Sequence, residues 1–201
     1  MEQKPSKKRI LLHSCCGPCS SAVIERLAPD YEISLFYYNP NITDRAEYEH
    51  RLAEQKRLID LIAGEIYVEF VEGEYEPSKF YDCAKGLESE PEGGRRCEEC
   101  FKLRLSETAR AAAEGGYDCF DSTLSVSPHK DYRTLFRIGK ELAEECGVEF
   151  LAGDYKKRDG YLRSVRLAKK YELYRQNYCG CKFSRIQKRP ERRELLEDSH
   201  V

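Results

Sequence analysis

The chain has 201 residues, 40% apolar and 35% charged, with 14 Tyr and 8 Phe. That composition excludes disorder, and the length fits one domain of ~150 residues with at most a small appendage. Lys and Arg number 34 against 36 Asp and Glu, a net charge of -2, so bulk charge predicts no polyanion partner.

The longest apolar run, Ile33 to Tyr38, is far short of the ~18 residues of a membrane span. The start MEQKPSKKRILLHS has too few consecutive apolar residues for a secretory leader, which predicts a cytoplasmic protein. In chain order, residues 8–14 read as a strand running into a Cys-Cys-Gly-Pro-Cys turn, and residues 20–27 as a helix. Residues 32–38 form a β-branched and aromatic strand stopped by Asn39-Pro40-Asn41. A helix is expected over 44–63, with Tyr48, Leu52, Leu58, Ile59 and Ile62 on its apolar side and Gly64 closing it. A third strand follows over 65–71, then a helix over 77–87 and a loop over 88–94 that delivers Cys97. A helix over 97–114, strand over 117–124, helix over 131–146, strand over 148–152 and helix over 162–174 complete the pattern. The alternation predicts an α/β fold, a mostly parallel Rossmann-like sheet of about five strands with flanking helices. We read residues 1–201 as a single α/β domain with a basic C-terminal tail over 185–201. If the strands are parallel, the first, second, fourth and fifth end at one edge, where such sheets collect ligands.

Ten cysteines stand out. In a reducing compartment, a chain able to bury its own core uses paired cysteines for metals or catalysis. Cys15, Cys16 and Cys19 form one group, Cys97 and Cys100 a second, Cys179 and Cys181 a third. Cys119 and Cys146 read as small buried hydrophobes, and Cys83, in polar surroundings, is less easily placed. Cys16-Gly-Pro-Cys19 has the look of a thioredoxin motif, but the extra Cys15, the lack of Trp and the chain length argue against it. Cys15 and Cys16 with Cys97 and Cys100 make a four-thiolate site from two segments, with Arg95-Arg96 available to offset charge. Adjacent cysteines suit an iron–sulfur cluster, which offers several corners, better than one ion; tetrahedral zinc is the alternative. Cys179-Gly180-Cys181 is either a strained, reducible disulfide or a chelate for a second metal.

Charge is polarised along the chain. Residues 154–193 hold 14 Lys/Arg and 4 Asp/Glu, with Tyr155, Tyr161, Tyr171, Tyr174, Tyr178 and Phe183 interleaved. Residues 47–100 hold 7 basic and 15 acidic side chains. Cations neutralise phosphates and aromatic faces stack on bases, so the basic tract reads as an RNA-binding face. His129, in Ser127-Pro-His-Lys130, is a candidate substrate contact.

Five ordered motifs now resemble a known family: His13-Ser-Cys-Cys-Gly-Pro-Cys-Ser20, Tyr38-Asn-Pro-Asn-Ile42, Leu87 to Gly94 followed by Arg96-Cys-Glu-Glu-Cys100, Ser125-Val-Ser-Pro-His-Lys130, and Leu173 to Cys181. Together, across about residues 8–184, they are similar to the cobalamin-independent epoxyqueuosine reductases, the QueH family. The resemblance implies reduction of the epoxide of epoxyqueuosine at the tRNA wobble position to give queuosine. It also implies a four-iron cluster on Cys15, Cys16, Cys97 and Cys100, no cobalamin, and a redox pair or additional iron at Cys179 and Cys181. Tail residues after Phe183 lie outside it. Deoxygenating an epoxide takes two electrons and two protons, which a cluster passes singly from a carrier such as ferredoxin. A nearby metal would act as a Lewis acid on the oxygen, with Asp154 the first candidate carboxylate for it and Asp44 and Asp131 behind it. Tyr38, Lys130 or a thiol would donate protons. Two other functions compete: a zinc-stabilised RNA-binding module and a cluster-dependent tRNA sulfur-transfer enzyme. The second needs a glycine-rich, phosphate-cradling turn where this chain has Cys-Cys-Gly-Pro-Cys.

Overall fold

Residues 7–185 are described by a computed structural model. Of the basic tail expected over 185–201, only Arg185 therefore lies within the described residues. The element order is β1 (Lys8–His13), α1 (Gly17–Leu27), β2 (Tyr31–Tyr37), α2 (Arg45–Ile62), β3 (Val68–Glu72), α3 (Pro77–Ala84), α4 (Arg95–Glu114), β4 (Cys119–Ser122), α5 (Tyr132–Cys146), β5 (Glu149–Phe150) and α6 (Gly160–Lys170), with a 3-10 turn at Thr123–Val126. The strands form one wholly parallel sheet in the order β3-β2-β1-β4-β5.

Strand alternation builds the two halves of the core. Ile10 and Leu12 of β1 meet Val23, Ile24 and Leu27 of α1 and Leu58 and Ile62 of α2. Leu11 faces the opposite way and packs with Phe101 and Leu105 of α4 and Leu135 and Ile138 of α5. The sheet order reverses between β1 and β4, so the crevice beyond their carboxyl ends is the ligand position of such folds.

Several boundaries differ from expectation: α1 starts three residues early and α3 ends three residues early, and three others have a plain local cause. β3 starts at Val68 because the N–H groups of Glu65 and Ile66 turn back onto the Ile62 carbonyl. β4 stops at Ser122, whose hydroxyl accepts from Leu124 N and starts the 3-10 turn. α6 ends at Lys170 because Glu172 adopts φ 51°, which no helix continues. On α2 the buried stripe is Tyr48, Arg51, Gln55, Leu58 and Ile62, so polar residues occupy positions a core helix gives to apolar ones.

Asp121 fastens the chain after β5 to the end of β4. Its carboxylate accepts from Ser122 N (2.7 Å), Gly153 N (2.9 Å) and the Tyr155 hydroxyl (2.7 Å). Gly153 is required there, since a Cβ would lie 2.2 Å from the Tyr155 ring. Burial pushes the Asp121 carboxyl up to about 6 against the pull of those three donors. The folded value lies above the ~3.9 of an unfolded Asp, so stability from this group is full at low pH and is lost as pH rises through 6. Tyr155→Phe removes a donor to the charged form. Urea unfolding should show a loss of about 1.5–3 kcal/mol at pH 8 and clearly less at pH 5. Equal losses at both would show that Asp121 does not ionise in this range.

Candidate active site

At the switch point, β1 passes through His13 and Ser14 into Cys15 and Cys16. His13 is buried, its Nε2 donating to the Tyr38 carbonyl (3.0 Å) and its Nδ1 accepting from the Ser122 hydroxyl (2.8 Å). Burial lowers it to about 3, so it is a neutral tie between β1, β2 and β4. Cys16 is the N-cap of α1, and Gly17-Pro18 start the helix. A thiol chain runs through this turn: Cys15 donates to Cys16, and Cys16 to Cys19. The bond from Cys15 lowers the Cys16 thiol, and Gln176 acts in the same direction. The bond to Cys19 and burial outweigh them and push it up to about 12.

The second group lies on the first turn of α4. Cys97 accepts from Gly93 N (3.2 Å) and packs in the same core cluster as Cys15. Cys100 packs with Cys181, Phe80 and Ala84, with half-buried Cys83 against them. The third group is held by a buried arginine. Arg51 ion-pairs with Glu47 (2.7 Å) and donates to the carbonyls of Cys179 (3.1 Å) and Tyr178 (3.3 Å). Gly180 has φ 114°, and a Cβ there would approach Ile42 to 2.9 Å, so the residue between the two cysteines must be glycine.

Two further cations meet the sulfurs. Lys130, 8% exposed, places its Nζ 3.2 Å from Cys179 Sγ. Burial alone would raise the Cys179 thiol, yet Lys130 and Arg104 hold it below its ordinary value. Arg104, 1% exposed, interacts electrostatically with Cys100, Cys179, Cys15 and Cys97, and its Nη2 has no hydrogen-bond partner among the described residues. It stands four residues after Cys100 and seven after Cys97, on the same face of α4. Burial and Cys179 raise the Cys181 thiol and Arg96 acts against them, while Arg95 takes no such role. The Arg96 guanidinium donates to the carbonyls of Leu87, Glu88 and Glu90 and lies over the Phe183 ring, and Arg95 is exposed.

Above the sulfurs opens a cavity of about 340 Å³. Cys15, Cys16, Cys19, Cys179, Arg104 and Lys130 line its inner part. His129, Tyr161, Arg175, Asn177 and Tyr178 line it toward solvent. Asp154 is not among the lining residues; it sits 3.6 Å from Lys157, with Tyr132 nearby. Among the described residues, no three His, Cys, Asp or Glu side chains are arranged to hold a single metal ion, so Cys179, Cys181 and Asp154 are not gathered into one set. Asp44 and Asp131 are helix N-caps of α2 and α5. Tyr38 packs away from the cavity on Phe36. Cys119 and Cys146 lie in or against the core, as hydrophobes do.

Comparison with known proteins gives one consistent result. A family profile described as epoxyqueuosine reductase QueH matches residues 10–187. The chain is 38% identical to the epoxyqueuosine reductase QueH of Staphylococcus epidermidis, covering all of this chain and 86% of that protein. It is 37% identical to that of Streptococcus pyogenes (91% and 72% covered) and 35% to that of Thermotoga maritima (92% and 95%).

Proposed function

The chain belongs to the epoxyqueuosine reductase QueH family, and from that membership we propose that the cysteine-lined cavity is where epoxyqueuosine of tRNA loses its epoxide oxygen. The chain is then an oxidoreductase of queuosine biosynthesis. Beyond the membership, the observation that carries this reading is the convergence of three cysteine groups on the buried Arg104 at the floor of that cavity.

An iron–sulfur cluster fits these residues. A buried guanidinium with an unpartnered Nη2 requires negative charge beside it, and the groups around it are thiols. Adjacent Cys15 and Cys16 suit a group with several metal corners better than a single ion. Cys15, Cys16, Cys97 and Cys100 would hold it. When bound, it supplies electrons singly from a carrier such as ferredoxin. The rest of the work falls to the chain. The deoxygenation consumes two electrons and two protons, leaves a carbon–carbon double bond and releases water. Lys130 holds a proton at Nζ on the cavity wall beside Cys179 and is the candidate to pass it to the departing oxygen. Arg51 fixes the backbone that presents Cys179. Tyr161 offers a face on which an unpaired base stacks, and Arg175 offers donors for its polar edge; the Tyr178 ring lies under Arg51 and Arg185. Cys179 and Cys181 serve as a thiol pair or as ligands of a further iron.

Anaerobic incubation of epoxyqueuosine-containing tRNA with reductant and protein, followed by nucleoside analysis, tests the reading. Conversion to queuosine, with one oxygen removed, is expected from a brown protein. Unchanged nucleoside from protein loaded with iron and sulfide would overturn it. Colourless, zinc-containing protein that binds tRNA would replace it with the RNA-binding module.

A further inference from the structure

A second cleft, of about 400 Å³, lies between the C-terminal half of α1 and the N-terminal turn of α6. Four arginines line it: Arg26, Arg158, Arg163 and Arg166. Two carboxylates share the lining, Glu25 and Asp159. Glu25 is neutralised, since Arg163 grips both its oxygens at 2.7 and 2.9 Å. Arg26 is oriented by its bond to the Lys157 carbonyl (2.9 Å) and lies over the Tyr155 ring. The guanidinium groups of Arg158 and Arg166 form no ion pair or hydrogen bond among the described residues. With Asp159 set against Arg26, Arg158 and Arg166, the cleft keeps a positive excess. Several guanidinium forks gathered in one concave cleft, two of them without a carboxylate partner, select an anion.

The walls are firm. Tyr155 is buried and bonded to Asp121, and Gly160 packs so closely on the Tyr155 carbonyl that a Cβ would lie 1.8 Å from it. Arg158 and Asp159 both take left-handed backbone (φ 54° and 58°), a conformation that L side chains rarely adopt. The same two helices separate this cleft from the cysteine cavity: Cys19 of α1 and Tyr161 and Ser164 of α6 line the cavity, while Ala22 to Arg26 and Arg163 line the cleft. Three to seven residues along α1 correspond to about 5–10 Å at ~1.5 Å per residue. A phosphate adjacent to a nucleoside seated in the cavity lies within that distance.

We propose that this arginine cleft binds a backbone phosphate of the tRNA strand whose modified nucleoside occupies the cysteine cavity. The proposal rests on tRNA being the substrate, and it adds a phosphate-binding subsite to that reading. An acidic redox protein would also meet arginines, but a concave cleft beside the nucleoside cavity fits a phosphodiester better than a protein surface.

The test compares the full chain with R158Q/R166Q, using epoxyqueuosine-containing tRNA in a salt titration of affinity. The variant should bind roughly tenfold more weakly at low salt, and its log-log salt slope should flatten by roughly 0.7–0.9 for each phosphate no longer neutralised. Its KM for tRNA should rise in step, while kcat, measured with a chemical reductant, moves less than twofold. R158K/R166K should keep the slope but recover only part of the affinity, because lysine lacks the bidentate fork. Unchanged affinity and slope in R158Q/R166Q would overturn the proposal. So would unchanged tRNA binding together with slower turnover only when a protein carrier replaces the chemical reductant, the mark of a redox-partner dock. If the wild-type chain fails to deoxygenate tRNA while the variants still flatten the slope, the functional reading falls and the phosphate site stands.

Discussion

Cys97→Ala is expected to lose iron, acid-labile sulfide and visible absorption together, with deoxygenation of tRNA falling on the order of 100-fold or more. Cys97 and Cys100 sit one turn apart at the start of α4, and Arg104 follows on the same face. If these cysteines hold the proposed cluster, the helix carries two ligands and the cation that offsets their charge as one rigid unit. Loss of an anionic ligand leaves Arg104 buried with less compensation, and an uncompensated buried charge costs about 3–5 kcal/mol. The variant should accordingly also unfold at lower urea. Cys119→Ala is the matched control. Cys119 is buried in β4 among apolar side chains, so its removal should lower stability modestly and leave colour and turnover in place. An intact iron–sulfur spectrum in Cys97→Ala would remove this residue from the ligand set.

Most of the fold was legible because strand and helix periodicities agreed with the turn residues. Asn39-Pro40-Asn41 and Gly147 each end an element where expected, Cys-Cys-Gly-Pro ends β1 but already starts α1 at Gly17, and the parallel sheet follows from the alternation. Boundaries failed where one side chain or one backbone angle decided them, as at the Ser122 cap and at Glu172. Within the site, cysteine spacing was legible but its electrostatic partners were not. Arg104 could have been found, since positions 97, 100 and 104 share a helical face. Arg51 was legible in a similar way, as a charged residue inside the apolar stripe of α2. Adjacent Arg95-Arg96 read as one pair in sequence, yet neighbouring helical residues diverge: Arg95 is exposed, and Arg96 turns to the loop carbonyls with Cys181 in its field. Asp154 was assigned from the end of β5. The stitching of Gly153 and Tyr155 to Asp121 sets its neighbours instead, and no periodicity encodes that. The basic tract marked a charged region, but only the packing of α6 on α1 divides it between two cavities.

Cys181→Ser should abolish turnover, on the order of 100-fold or more, while leaving the cluster spectrum largely in place. The serine keeps the size of the side chain and the contact with Ser184 N, which lies 3.4 Å from Cys181 Sγ, so folding is not the variable. Cys179 faces Lys130 in the cavity, whereas Cys181 packs behind it against Phe80, Ala84 and Cys100. The two thiols thus link the cavity to the α4 cysteines through one glycine whose backbone only glycine adopts freely. If they act as a dithiol, a bridge across a single residue is strained and readily reduced, which suits a pair that cycles during turnover. If they are ligands of a further iron, the wild-type protein carries more iron than sulfide, and a Lewis acid stands near the epoxide oxygen. Iron and acid-labile sulfide measured on one anaerobic sample separate these. Equal amounts in wild type and variant mark the dithiol, and an iron excess that disappears in Cys181→Ser marks the metal. Loss of the whole cluster in Cys181→Ser would instead place this pair among the cluster ligands and end the division of the cysteines into four holders and a reactive pair.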